Sequence, residues 1–253
     1  MAKREITRIL IGAGALLAAA QVFAAMRATP EFEDGSTRPV SIALLPVQAT
    51  VVKAKVVESE SLVEESSELG GYLGTELDSL MESNGYAVEL ITPARINADA
   101  QLQEYVVDAN RRYDEMLTQV RFNRVKRRIY NAGDAMRLLA DYLGVDAVAF
   151  SRVQIVAATG GRTAVALLVG IGSMGGTNST LSIVDGDTGD LEALFMSAYT
   201  AGSYKQIEED PRGQMAKIAA ATLARLPNAD PSVHVEQADD DDVLSEVESL
   251  LNE

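Results

Sequence analysis

Apolar positions recur along this chain with three different periods. The first run is nearly continuous. Lys3, Arg4 and Arg8 precede a stretch that is largely apolar from Ile9 to Ala25. A basic n-region ahead of an apolar h-region is the pattern of a secretory signal. Val22 and Ala24 stand at −3 and −1 of a cleavage after Ala24, and Ala18 and Ala20 offer a second site. If retained, the run is close to the ~17 residues needed to span a bilayer, so an N-terminal anchor is the other expectation. Residues 1–25 are therefore expected as signal peptide or anchor, and the polar residues 26–39 (MRATPEFEDGSTRP) as a linker.

Beyond residue 40 the pattern alternates between short apolar runs and helical stripes. Val40–Pro46 (VSIALLP) predicts a buried strand ended by proline. A polar stretch follows until about Leu62. Leu69, Leu73, Leu77, Leu80 and Met81 then share one helical face, and Gly85 suits the position just past the helix end. Tyr86–Ile91 (YAVELI) predicts a second strand, and Pro93 with Asn97 a turn. From Ala98 to about Ile129 the chain is polar but periodic. Leu102, Tyr105, Val106, Ala109 and Tyr113 form a stripe that Val120, Val125 and Ile129 extend, in one long helix or in two. Asp134 opens a compact helix in which Ala135, Leu138, Leu139, Tyr142 and Leu143 face inward, ending at Gly144.

Ala147–Val156 reads as a strand, and Gly160-Gly161 as a hairpin turn into Thr163–Ile171. A glycine-rich loop leads to Thr180–Asp185, and the turn Asp185–Asp190 (DGDTGD) to Leu191–Tyr199. Asp210 and Pro211 pair as N-cap and first helical residue. Met215, Ile218, Ala219, Thr222, Leu223 and Leu226 line that helix, and Pro227 stops it. The order β-α-β-α-α-β-β-β-β-α predicts an α+β (mixed α/β) domain over 40–226, with helices packed on a five- to six-stranded mixed sheet.

The C-terminal region differs again. Residues 227–241 are polar and expected as a disordered linker. Over 242–253, Asp242 would cap a short amphipathic helix with Val243, Leu244, Val247, Leu250 and Leu251 on one face. From Glu236 onward the chain carries eight acids and no Lys or Arg. A tethered, acidic, amphipathic segment has the form of a partner-docking helix, because so short a helix is marginal unless its stripe is buried.

Charge and composition narrow the chemistry. The formal net charge is −15, from 22 basic and 37 acidic residues, which argues against nucleic acid as a partner. With no Cys, disulfides, thiolate zinc ligands, a thiol nucleophile and an acylated anchor are excluded. The single His234 lies in the polar tail, leaving little for a Ser–His triad or a multi-His metal site. Gly170–Gly175 spells G-x-G-x-x-G, but the following residues read as a strand where a dinucleotide site needs a helix N-terminus. A nucleotide-binding enzyme using this loop is the alternative reading. Asp185, Asp187 and Asp190 fail the calcium-loop pattern, since Met196 stands where a bidentate Glu is required. No G-x-S-x-G surrounds Ser173. We therefore expect no catalytic residue, no cofactor and no metal.

Basic residues cluster at Arg111, Arg112, Arg121, Arg124, Lys126, Arg127, Arg128 and Arg137. In an acidic protein this predicts an electrostatic docking surface, with Arg124, Arg127 and Arg128 at its centre. It would meet an acidic partner, the acidic tail, or anionic lipid through peripheral membrane contact.

Three features together carry a resemblance: the strand–helix–strand opening, Leu143-Gly144-Val145-Asp146-Ala147-Val148, and Val184-Asp185…Thr188-Gly189. They resemble the small periplasmic domain of CsgG-like, LpoB-like and TolB N-terminal-like envelope proteins. In that domain an L-G-x-D-x-[IV] phrase leads into a strand, and a [VI]-D-x-x-T-G turn joins two later strands. Many members are lipoproteins, whereas this chain has no Cys to acylate. The resemblance implies a non-enzymatic adaptor or structural subunit of a cell-envelope assembly, exported to the periplasm, partnered by an envelope complex or by further copies of itself.

Overall fold

The computed structural model describes residues 23–54, 59–120, 125, 129–158, 176–199 and 204–232. Its elements are β1 (Phe23–Ala28), α1 (Pro30–Asp34), β2 (Ser41–Leu44), β3 (Gln48–Ala54), β4 (Ser59–Ser61), α2 (Val63–Ser83), β5 (Ala87–Leu90), α3 (Pro93–Ala98), α4 (Ala100–Leu117), α5 (Asp134–Leu143), β6 (Ala147–Ala158), β7 (Gly176–Asp185), β8 (Leu191–Tyr199), α6 (Tyr204–Glu209) and α7 (Pro211–Leu223).

The strands form one eight-stranded mixed sheet in the order β1-β8-β7-β6-β2-β5, with β3 also paired to β6 and β4 to β3. β2 and β3 lie end to end along the same side of β6, both parallel to it, with Leu44 opposite Ala149 and Gln48 opposite Arg152. Pro46, which has no N–H to donate, occupies the break between them. β6, β7 and β8 form an antiparallel meander, and β1 closes that side by pairing antiparallel to β8.

Helices cover both faces. On one face Leu69, Leu73, Leu77 and Met81 of α2 and Met215, Ile218 and Leu223 of α7 pack on Ile42, Ala149, Ile183 and Phe195. On the other, Leu102, Val106, Ala109 and Tyr113 of α4 and Met136 and Leu139 of α5 pack on Ala43, Val148, Phe150 and Val184. The mixed α/β architecture and the core stripes of α2, α4 and α7 match the periodicity. So do the local signals: Asp210 caps α7 with Pro211 at its start, and Gly144 ends α5 in the left-handed region. Among the described residues no helix is long and apolar enough to cross a membrane.

Several expectations are corrected. Residues 26–39 are not a linker. They complete β1 and form α1, capped by Thr29, whose Phe32 is fully buried. A cleavage after Ala24 would fall inside β1. The polar stretch after Pro46 holds β3 and β4, and Pro93 begins a helical turn capped by Thr92 rather than a plain turn. With β1, β3 and β4 added, the sheet exceeds the expected five to six strands. The expected hairpin over 160–171, the stretch around Arg121–Arg128 other than Val125, and everything after Ser232 lie outside the described residues.

Two motif fragments acquire structural roles. The Asp146 carboxylate accepts the backbone N–H groups of Val40 (3.0 Å) and Ser41 (2.8 Å), tying the start of β2 to the start of β6. Burial pushes this carboxyl up, but the Ser41 and Val40 donors outweigh it and hold it below its ordinary value. Asp185 Oδ1 accepts both the N–H and the hydroxyl of Thr188 at 2.7 Å, closing the β7–β8 turn.

Candidate functional site

α4 and α5 run antiparallel across the second face, and their outer surface carries three of the exposed large apolar side chains among the described residues, Val107, Leu138 and Tyr142. The sequence predicts Leu138 and Tyr142 in the core. Instead Met136, Leu139 and Ala140 point inward, while Leu138 is 41% and Tyr142 40% exposed. Both stripes contain Leu139, so helical period alone does not choose between them. The connections do: Ala132 N–H donates to the Gly189 carbonyl (2.8 Å) before the helix, and Gly144 turns the chain into β6 after it. These fixed ends set the rotation of a ten-residue helix.

Val107 on α4 is 63% exposed beside them. It lies one residue past Val106, roughly a hundred degrees off the buried stripe. An open groove of roughly 560 Å³ runs along α4 beside α5, lined by Ala100, Gln103, Tyr105, Val107 and Arg111 of α4 and by Leu138 of α5 among others. Its floor is rigid. The rings of Tyr105 and Tyr142 meet edge to face with centroids 5.4 Å apart. The Tyr142 hydroxyl donates to Asp99 Oδ2 (2.7 Å), and Asp99 Oδ1 caps α4 by accepting from Gln101 and Leu102. The Tyr142 bond holds the Asp99 carboxyl below its ordinary value and pushes the Tyr142 hydroxyl above its own.

Beneath the groove, Tyr113 anchors α4 to the sheet. Its ring stacks on Phe150 at 4.1 Å, its hydroxyl shares a 2.8 Å hydrogen bond with Ser182, and the Arg152 guanidinium sits 5.0 Å from the ring centre. Arg152 also pairs with Asp114.

The charge around the groove is mixed. Arg111 pairs with Asp108 and with Glu115 (2.9 Å), Arg112 with Glu115 (3.2 Å), and Arg137 with Asp141 (3.4 Å). These exposed pairs along one helix contribute little to stability, but they offset much of the positive field expected from the basic cluster. The other members of that cluster, Arg121, Arg124, Lys126, Arg127 and Arg128, lie outside the described residues, as do Val243, Leu244, Val247, Leu250 and Leu251. All the predicted partner-binding residues thus lie outside the part of the chain that the structure describes. The structure supplies a surface, Val107, Leu138 and Tyr142, that the sequence placed in the core or passed over.

Gly170–Gly175 also lies outside the described residues, but its flanks are informative. β6 and β7 pair antiparallel from Ala147 opposite Asp185 to Val156 opposite Gly176. A dinucleotide fingerprint sits where a strand enters a crossover helix within a parallel βαβ unit, a different topology. Among the described residues no cluster of three His, Asp or Glu side chains is placed to hold a metal. The most buried carboxylate, Glu192 on β8, accepts the hydroxyls of Thr29 (2.7 Å) and Thr37 (2.8 Å). Burial pushes its carboxyl above the ordinary value, against those two donors. It fastens the 29–37 segment to the sheet.

No protein-family model and no curated protein matches the chain. Among solved structures it is similar to a PelC dodecamer from Paraburkholderia phytofirmans, with TM-score 0.39 and 10% identity over 81% of this chain and 99% of that one. A methionine variant of the same PelC aligns with TM-score 0.34 and 8% identity, over 81% and 100%. Both scores lie below the level that marks a shared fold.

Proposed function

We propose that this chain is an exported, non-enzymatic adaptor or structural subunit of a cell-envelope assembly, and that the α4–α5 face is where it binds protein. The observation that carries the proposal is the exposure of Val107 and Leu138 in one groove, with the part-exposed Tyr142 packed on the groove residue Tyr105. Scattered exposed apolar residues are ordinary, whereas several around a concave surface with a polar rim mark an interaction site. A groove along α4 beside α5 suits an amphipathic helix laid in it. The basic n-region and apolar h-region of residues 3–25 support export. Cleavage at the Ala18-x-Ala20 site would leave β1 whole and give a chain beginning at Gln21. The likeness of Leu143–Val148 and Val184–Gly189 to CsgG-like, LpoB-like and TolB N-terminal-like domains supports the envelope setting.

The test is site-specific photocrosslinking. A benzophenone amino acid at position 107, in the native envelope, should give adducts whose partner peptides mass spectrometry identifies. The same probe at Thr75, exposed on α2 across the sheet, should not. Leu138→Glu should remove the adducts. Absence of any adduct at 107, or equal labelling from 75, would sink the reading.

A further inference from the structure

We infer that the occupant of the α4–α5 groove in the resting protein is the chain's own C-terminal segment, residues 242–253, folded against it as an amphipathic helix. This rests on the reading of that face as a protein-binding surface, and names its ligand.

The first support is where the described chain ends. Arg38 donates to the carbonyls of Phe32 (2.9 Å) and Asn228 (2.8 Å), clamping the last residues against the 32–38 segment. Pro231 packs so closely on Gly35 that a Cβ there would meet its Cβ at 2.6 Å. Thr37 and Arg38 in turn share a cleft with Ala140 and Asp141, at the end of α5. The described chain thus ends at the edge of the sheet where α2 and α5 both end, with Ala229 packed against the first face. Nine residues, 233–241, separate it from Asp242 and reach about 30 Å when extended. α5 itself is only about 15 Å long. The tether is ample.

The second support is complementarity of length and surface. A helix over 242–253 is about 18 Å long, close to the span of the groove. Its face of Val243, Leu244, Val247, Leu250 and Leu251 has no other means of leaving water within so short a helix. Val107, Leu138 and the Tyr105–Tyr142 pair provide the apolar surface it lacks. Entering at the Tyr142 end, the segment would direct Glu248 and Glu253 toward Arg111, Arg112 and Arg137. Those arginines already hold Asp108, Glu115 and Asp141, and Glu104 also lies on the rim, so apolar contact rather than charge holds the segment. Tethering raises the local concentration of the segment to about the millimolar range, enough for a weak contact to be occupied.

The chain has no cysteine, so introduced thiols report without background. Full-length protein carrying Leu138→Cys and Val247→Cys, both compatible with folding because Leu138 is at the surface, is compared with Thr75→Cys and Val247→Cys. Position 75 is exposed on α2, nine residues before Asn84, whose carbonyl accepts the Ala229 N–H, so it is of similar reach from the tail. A short thiol–thiol crosslinker should join 138 to 247 several-fold faster than 75 to 247, within monomers, at a rate independent of protein concentration. Val107→Glu should slow the reaction to the control rate. Equal rates for the two pairs overturn the inference, and a rate that rises with concentration assigns the groove to a second copy instead. If the 138–247 pair fails while the photocrosslink from 107 to another protein stands, the face binds a partner and the tail is not its ligand.

Discussion

Leu138 and Leu139 are adjacent, chemically identical, and placed in opposite environments. Leu139 is fully buried against Met136, Val148 and Val184, whereas Leu138 is 41% exposed beside the groove. Truncating a fully buried leucine removes its transfer free energy and leaves a cavity, about 3 kcal/mol in a well-packed core. In a domain of this size that corresponds to a fall in melting temperature of about 6–12 °C. Truncating Leu138 removes methyl groups that are already partly in water, and should cost about 1 kcal/mol at most. Thermal melts by circular dichroism, together with urea midpoints, give both numbers from Leu138→Ala and Leu139→Ala. The expectation is a gap of about 2 kcal/mol with Leu139→Ala the weaker protein. Equal losses would mean that Leu138 packs inside the domain, which would remove the apolar surface on which the proposed interaction rests. A larger loss for Leu138 would show α5 rotated toward the stripe read from its sequence.

Asp146→Ala leaves two backbone donors at the start of β2 without their acceptor, and should lower stability by about 1–2 kcal/mol in urea titrations. A neutral result would show that water replaces the carboxylate at no cost. Glu192→Gln tests a pH effect. Burial raises the folded carboxyl, so its stabilisation is fully present below the ordinary glutamate value and is lost as pH rises through the folded value. The variant should therefore gain on the wild type between pH 4 and pH 7, and a gain in the opposite direction would refute the assignment. Gly189→Ala places a side chain at φ +75° with its Cβ 2.7 Å from the Gly133 carbonyl oxygen, so it should destabilise by more than 1 kcal/mol, whereas Gly71, in α2 with ordinary φ and open space around it, should tolerate alanine without loss. Comparable melts for the two would remove the role given to the close approach.

The parts of the fold legible in the sequence are those whose determinants are local. The Leu69–Met81 stripe, the Asp210-Pro211 start and the Gly144 stop act through neighbours within a turn or two of helix, and each appears where the pattern puts it. The same holds for β7 and β8, whose turn is written in Asp185–Asp190. The candidate site was only half legible. Val107, an apolar residue off the stripe, was a signal available in the periodicity but passed over. Leu138 and Tyr142 gave none, because α5 has enough apolar residues to face inward in two rotations.

What the sequence could not decide depended on partners distant along the chain. Gln48–Ala54 is polar enough to read as loop and becomes a strand only because β6, a hundred residues later, offers it a ladder beyond the end of β2. Phe23–Ala28 looks like the close of an apolar leader, and β8 turns it into an edge strand. A helix satisfies its hydrogen bonds within itself and so announces itself locally, whereas a strand is completed by whatever lies beside it. The sequence by itself determined the four longer helices, several of their ends and the class of fold. The tertiary structure decided which segments became the outer strands of the sheet, and which face of α5 was left in water.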